Sequence, residues 1–205
     1  MALPIMARDF RYEYEGQKLT YTVIDEDAKT CMTKVGYIPS PGNNVSGKLA
    51  IPDVAKDGEV EYAVVEIGNN SFFGCFGLTE VTIGNSVQTI GDDAFYRCFG
   101  LTEVVISNSV QSIENKTFYH CTSLTEVVVP PSVEIIGASA FEGDTKLSRI
   151  IMGHRMSSVG SRAFGNCPAS AVFITAQRAP EASFNTFSYY TGSLYLQGKA
   201  AVDAY

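Results

Sequence analysis

The sequence predicts a β-rich solenoid of stacked parallel strands, on the basis of an internal repeat, an alternation of apolar residues and a composition that can form a core. The repeat is set by leucines at positions 78, 101, 124 and 147, each 23 residues after the one before, and such a period is typical of stacked repeat proteins. Hydrophobic residues make up 45% of the 205 residues and charged residues 18%, which is sufficient for a folded core. A unit this short cannot bury its own apolar side chains, so neighbouring units are expected to stack with equivalent strands about 4.8 Å apart.

Each repeat is predicted to open with a strand. Apolar residues follow the leucine at the third and fifth positions, in the pairs Val81 and Ile83, Val104 and Ile106, Val127 and Val129, and Ile150 and Met152. Because successive side chains of a strand point to opposite faces, these residues are expected to point inward and the residues between them outward.

The second half of each repeat predicts a bend and then a turn. Three units carry an apolar residue followed by glycine, at Ile90-Gly91, Ile136-Gly137 and Val159-Gly160, and a residue without Cβ strain is useful at a tight bend. The units then close with Ala94-Phe95, Thr117-Phe118, Ala140-Phe141 and Ala163-Phe164. This stretch is too short for a full helix, and we predict a turn or a 3₁₀ segment.

Three regions are predicted along the chain. Residues 1–48 fit no repeat, and their alternation of aromatic and polar residues predicts an N-terminal β hairpin that caps the stack. Residues 49–187 are predicted to form the repeats, beginning with a strand at Leu49-Ala50-Ile51 and including an insertion around residues 56–62. Residues 188–205 are predicted to form a terminal strand and a C-terminal cap, with further strands expected at 172–174 and 194–196.

The charge of the chain limits its partners. A net charge of -7 and a pI near 4.8 argue against nucleic-acid binding, which needs clustered Lys and Arg to neutralise phosphates. The chain has no run of about 18 apolar residues, so membrane insertion is not expected. Residues 1–6 are too short for the apolar region of a signal peptide, and no export signal is expected in the sequence as it stands.

The run Leu78-Thr-Glu-Val81-Thr-Ile83, continued by Ser86-Val87-Gln-Thr-Ile90-Gly91-Asp-Asp-Ala94-Phe95-Tyr-Arg-Cys98, resembles the BspA-type leucine-rich repeat, whose units read roughly LxxVxIPxSVxxIGxxAFxxC. The match is close over residues 64–167. The departures are that the family's proline is present only at Pro52 and Pro130, that Asp144 replaces Cys and that Glu114 replaces Gly. The resemblance implies a right-handed leucine-rich-repeat solenoid of the α/β class. It also implies a secreted or surface-attached adhesion protein of bacteria, or of mucosal protozoa, without catalytic residues.

Candidate catalytic and metal-binding residues are few. Cys75, Cys98, Cys121 and Cys167 share one repeat position, and we expect a column of buried, reduced thiols rather than a zinc site, because zinc ligands usually come in pairs two to four residues apart. Disulfides between neighbours of the column are the alternative. His120 and His154 occupy different repeat positions without an accompanying Ser or carboxylate arrangement, and both are expected to be turn residues. We therefore predict no catalytic site, no metal and no cofactor.

The outward positions of the strands predict a candidate binding face. One column contains Glu80, Glu103, Glu126 and Arg149, and the next contains Thr82, Val105, Val128, Ile151 and Phe173. Glutamates about 5 Å apart repel by roughly 0.8 kcal/mol in bulk water, so the acidic column can be a solvated face as well as a site for a basic ligand. The apolar column can mark an interface, or reflect strand propensity or coverage by another segment.

Three functions are compatible with these features. The first is a recognition or adhesion module at the cell surface or outside the cell, which binds a host or microbial protein or glycan through the face from Glu80 to Phe173. The second is a structural spacer or display module, whose apolar column is covered by chain packing, for example in a homodimer. The third is an enzyme, which would require a convergent acid–base or metal cluster.

Overall fold

The computed structural model of the protein describes residues 8–34 and 45–168, the backbones of strands at 171–174, 181–182 and 193–196, and residue 186. These residues form strands, turns and bends and no helix. The α/β label therefore fits only loosely, and the fold is β-rich with parallel strands. The segments at the Ala-Phe pairs are turns.

The N-terminal region forms a small antiparallel sheet. Strand β1 (Asp9–Tyr14) pairs with β2 (Gln17–Asp25), and β2 pairs with β3 (Thr30–Thr33). The predicted hairpin is thus present, with one strand more than expected. Its buried face carries alternate side chains of β1 and β2, and the Phe10 and Tyr21 rings stack with centroids 5.6 Å apart.

The first unit contains the insertion as a second hairpin. Strand β4 (Gly47–Ile51) includes the predicted Leu49-Ala50-Ile51, and β5 (Val54–Asp57) pairs antiparallel with β6 (Val60–Ile67). Strand β6 also pairs in parallel with β3. Residues 63–67 of β6 therefore join the N-terminal sheet to the repeats, and the extra residues form the hairpin beside this junction.

Each later unit contributes one longer and one shorter strand. The longer strands are β7 (Leu78–Ile83), β9 (Glu103–Val105), β11 (Glu126–Val129), β13 (Arg149–Met152), β15 (Ala171–Ile174) and β17 (Ser193–Leu196). The shorter strands are β8 (Thr89–Ile90), β10 (Ser112–Ile113), β12 (Ile135–Ile136), β14 (Ser158–Val159) and β16 (Glu181–Ala182). The neighbouring strands that pair within each set do so in parallel with equivalent residues in register, as Val81 does with Val104 and Ile90 with Ile113, which confirms the predicted repeat. The strands predicted at 172–174 and 194–196 are present.

The shorter strands form one continuous ladder, whereas the longer strands do not. Strands β6, β8, β10, β12, β14 and β16 follow one another in a single sheet with the N-terminal strands. The longer strands divide into two sheets, one of β4, β7 and β9 and the other of β11, β13, β15 and β17. The two sheets meet between β9 and β11 without pairing.

The core consists of columns of equivalent side chains. The phenylalanines of successive units stack nearly parallel, with ring centroids 5.1 to 5.2 Å apart, in the column Phe72, Phe95, Phe118, Phe141 and Phe164. The leucines that define the repeat and the inward strand residues are also buried. The inward half of the sequence prediction is therefore confirmed.

The glycines of the bends are required for a different reason from the one predicted. A Cβ on Gly91 would lie 2.4 Å from Asn69 Oδ1 and 2.9 Å from the carbonyl oxygen of Ile67, so glycine is needed because the preceding unit approaches closely. Positive φ angles instead occur two residues later, as at Asp93 (φ 55) and Arg162 (φ 55).

A ladder of side-chain amides and carboxylates joins the same bends. Asn69 Oδ1 accepts the backbone N–H of Asp92, Asp92 Oδ1 accepts that of Asn115, and Asn115 Oδ1 accepts that of Ala138, each at 2.8 Å. These side chains satisfy backbone donors that strand pairing leaves free. The ladder ends at Ala138, which has no side-chain oxygen.

Candidate binding face

The structure brings the predicted face residues together in two adjacent columns. Glu80 is paired with Glu103, and Glu126 with Arg149; Thr82 is paired with Val105, and Val128 with Ile151, which is in turn paired with Phe173. Phe173 is described by its backbone only. We call these nine residues the sheet face: Glu80, Thr82, Glu103, Val105, Glu126, Val128, Arg149, Ile151 and Phe173.

The acidic column is flanked by a cation at each end. Arg149 Nη1 donates to both carboxylate oxygens of Glu126 at 2.8 Å, and Lys48 Nζ lies 2.7 Å from Glu80 Oε2. The hydrogen bond from Lys48 to Glu80 raises the pKa of that lysine. All four side chains are partly solvated, so each pair contributes little to stability.

Glu103 lies between these pairs and makes no ion pair among the residues that the structure describes. Sequence reasoning missed Lys48, although it precedes the predicted strand at Leu49. Leu49 is paired with Val81, so Lys48 is in register with Glu80, and the predicted strand at Leu49-Ala50-Ile51 carried a signal for this residue.

The apolar column is open to solvent. Val105 is 48% exposed and Val128 is 46% exposed, and Ile151 is partly exposed. No described segment of the chain therefore covers the middle of the column. Two adjacent half-exposed β-branched side chains form a small apolar patch between polar neighbours.

A groove lies between β9 and β11, where the two sheets meet. Its volume is about 420 Å³, and its lining residues are Thr102, Glu103, Val104, Val105, Ile106, Thr125, Glu126 and Val128. The groove thus includes the unpaired Glu103 and both exposed valines. Sequence reasoning gave no indication of it.

The cysteine column belongs to the core. All five cysteines of the chain are buried and free, and the Sγ atoms of Cys98, Cys121 and Cys167 lie 3.2, 3.3 and 3.0 Å from the carbonyl oxygens of residues 72, 95 and 141. Burial raises the pKa of these thiols, so thiolate, the reactive form, is suppressed.

Asp144 takes the cysteine position in one unit and is fully buried. Its Oδ1 accepts the backbone N–H of Cys121 at 2.7 Å, whereas Oδ2 is buried without a hydrogen-bond partner. Burial raises the pKa of this carboxyl well above its ordinary value.

The histidines lie in unrelated places. The His120 ring packs against Tyr119, with centroids 4.4 Å apart, and His154 is exposed in a turn. Among the described residues, no group of three His, Cys, Asp or Glu side chains is arranged to hold a metal ion. None of the described residues forms a helix that is long and apolar enough to cross a membrane.

These features define a β-rich repeat protein with an open strand face. The chain belongs to the family described as the BspA type leucine rich repeat region, which matches residues 56–188 in six copies. The resemblance seen in the repeat motif is thereby confirmed. No curated protein matches the chain significantly.

Several solved bacterial structures share the fold. A leucine rich repeat protein of T. pallidum is 21% identical, with a TM-score of 0.67, over 88% of this chain and 83% of that one. A leucine rich cell surface protein of Faecalibacterium prausnitzii is 20% identical, with a TM-score of 0.61, over 94% of this chain and 55% of that one. The pneumococcal vaccine antigen PcpA is 18% identical, with a TM-score of 0.69, over 92% of this chain and 50% of that one. The chain thus spans about half the length of the last two proteins.

Proposed function

We propose that this protein is a non-catalytic recognition or adhesion module, secreted or displayed at the cell surface, which binds a partner protein or glycan through the sheet face. The observation that carries the proposal is the exposed pair Val105 and Val128, which lies on the longer strands and is covered by no described segment. Contiguous exposed apolar residues are typical of interaction sites. A location outside the cell is favoured by the family and by the similar fold of a protein named as a cell surface protein.

We assign the parts of the chain to this function as follows. Residues 1–48 form the N-terminal cap, residues 49–187 form a right-handed solenoid of repeats, and residues 188–205 form the terminal strand and cap. The repeats present the sheet face, and the buried columns keep its residues in register. The module needs no cofactor or metal.

The apolar patch alone is too small for a stable complex. Burying the exposed parts of Val105, Val128 and Ile151 would contribute at most roughly 3 kcal/mol, whereas a micromolar complex requires about 8 kcal/mol. The remaining free energy must come from polar contacts on the same face. The glutamates and Arg149 are the charged groups within reach of the patch.

The proposal is tested by replacing both Val128 and Ile151 with Ser. We expect the double variant to lose binding to partners found with the wild type on a panel of purified extracellular-matrix proteins and a glycan array, because the apolar contact is removed from the middle of the face. Ile135→Ser is the matched control, since Ile135 is 45% exposed on a shorter strand. If the double variant bound every such partner as tightly as the wild type does, the sheet face would not be the binding site.

A structural spacer is the second candidate, favoured by the same exposed valines if a second copy of the chain covers them. Light scattering after size exclusion distinguishes the two functions. A wild-type dimer that becomes a monomer in the Val128→Ser and Ile151→Ser double variant would support the spacer.

A further inference from the structure

The hydrogen-bond ladder of the sheet face is interrupted at one step. The backbone N–H of Thr102 donates to the carbonyl oxygen of Thr79 at 2.9 Å, and that of Ser148 donates to the carbonyl oxygen of Thr125 at 2.9 Å. The equivalent bond from Thr125 to Thr102 is not formed, and β9 and β11 belong to different sheets. The carbonyl of Thr102 and the N–H of Thr125 therefore have no backbone partner among the described residues, and both threonines line the groove.

A proline lies at one end of the interruption. In the next unit, the N–H of Gly153 donates to the carbonyl oxygen of Val129 at 3.1 Å. The equivalent residue one unit earlier is Pro130, which has no N–H. The carbonyl of Ile106 thus cannot receive the corresponding bond.

Two core side chains beside the interruption are slightly more exposed than their equivalents in the next unit. Val104 and Ile106 are 7% and 8% exposed, whereas Val127 and Val129, at the same positions of the next unit, are each 1% exposed. Val104 of β9 and Ile106 directly after it are therefore less enclosed than the equivalent residues of the next unit. Apolar surface and unpaired backbone groups become accessible in the same groove.

The charge around the groove is negative. Glu80 and Glu126 form ion pairs with Lys48 and Arg149, whereas Glu103 forms none among the described residues and interacts with Lys48 only at longer range. The whole chain also carries a net charge of -7. The negative charge of the groove is therefore complementary to a positively charged ligand.

We propose that the opening between β9 and β11 binds an extended segment of a partner protein that carries a Lys or Arg side chain. The basic side chain pairs with Glu103, and the segment's backbone supplies a donor for the carbonyl of Thr102 and an acceptor for the N–H of Thr125. An adjacent apolar side chain of the segment contacts Val105 and Val128. An uncharged glycan could satisfy the backbone groups but not Glu103, so the peptide is favoured. This inference rests on the proposed function and specifies the class of partner.

The test uses an N-acetylated, C-amidated hexapeptide of alternating Lys and Val, titrated into the isotope-labelled full chain and followed by amide chemical shifts. We expect saturable shifts at residues 102–106 and 125–128. Glu103→Gln should weaken the affinity by roughly fivefold, the upper range for one exposed charge pair. Glu134→Gln removes the same charge beside strand β12 and should change it by less than about twofold.

Three results would overturn the inference: an absence of shifts in these residues, equal weakening by both substitutions, or equal affinity for a hexapeptide of alternating Ser and Val. Pro130→Ala is a second test, because it returns a backbone N–H to position 130. We expect hydrogen exchange at Thr125 to slow and the peptide to bind more weakly as the opening closes. Slower exchange with unchanged affinity would show that the opening is not the binding site.

Failure of this inference can be separated from failure of the proposed function. If Glu103→Gln leaves binding to the panel partners intact while the Val128→Ser and Ile151→Ser variant abolishes it, only the basic segment is rejected. If all three substitutions leave that binding intact, the sheet face itself is rejected.

Discussion

Among single residues, Asp144 is a buried carboxyl at a repeat position that other units fill with cysteine. Three of the cysteines at this repeat position place a thiol within hydrogen-bonding distance of a carbonyl oxygen 26 residues earlier. Asp144 instead places a carboxylate in the core, with Oδ2 unpaired. A buried carboxyl with a raised pKa is more readily protonated in the folded chain than in the unfolded one.

This leads to a prediction about pH. Because the folded pKa of Asp144 lies above the unfolded value, the folded state binds the proton more tightly, and stability falls as pH rises above about 4 towards the folded pKa. Asp144→Asn keeps an oxygen for the N–H of Cys121 but cannot ionise. We expect it to unfold at nearly the same temperature as the wild type at about pH 4, and to be the more stable of the two at neutral pH, with a difference that grows as pH rises.

Thermal unfolding of both chains across this pH range measures the difference. The wild type supplies the control for every other titrating group, since those groups are shared. A gap between the two melting temperatures that does not change with pH would show that the Asp144 carboxyl stays ionised in the fold.

At the scale of elements, the ladder of side chains at the bends holds successive units together. Asn115 accepts the N–H of Ala138 through Oδ1 and donates through Nδ2 to Asp92 Oδ1 at 3.0 Å. Asn115→Ala removes both bonds, and we expect the free energy of unfolding to fall by about 1–2 kcal/mol. Chemical denaturation measures this change.

The matched control is Asn108→Ala, in an exposed turn of the same repeat, where the side chain makes no hydrogen bond within the described residues. Its effect should stay within about 0.5 kcal/mol. Equal losses in both variants would mean that the ladder does not contribute to stability.

Part of this arrangement could be predicted from the sequence. The inward columns were predictable because a strand side chain alternates with period two and the repeat fixes its place, as for Val81 and Val104. The ladder from Asn69 to Asn115 carried the same 23-residue spacing, so a signal for it was present.

Other features had no such signal. Pro130 can be read from the sequence. The loss of pairing between β9 and β11, however, depends on the relative position of the two backbones, which the sequence does not give. The repeat spacing alone therefore could not predict the groove or its lining residues.

At the scale of the whole molecule, each unit depends on its neighbours for burial. Val127→Asp is expected to unfold the chain cooperatively, because an unpaired buried carboxylate costs several kcal/mol, out of a total stability of about 5–15 kcal/mol. Val127 is preferred to Val104 for this test because it is more fully buried, whereas Val104 lies at the edge of the opening. Circular dichroism during denaturation measures the effect.

Val128→Asp supplies the comparison, since the adjacent side chain points outward and is half-exposed. We expect this variant to fold with nearly wild-type stability. Similar damage from both substitutions would contradict the alternation of the strand.

The interrupted ladder also bears on how the molecule deforms. The shorter strands join the units without a break, as between Ile113 and Ile136, whereas the longer strands on either side of the same step are not hydrogen-bonded to each other. Bending that separates β9 from β11 therefore breaks no backbone hydrogen bond between strands, whereas bending in the opposite sense strains a continuous sheet. The stack is expected to be most compliant at this one step, so that its curvature can adjust to the shape of a bound surface.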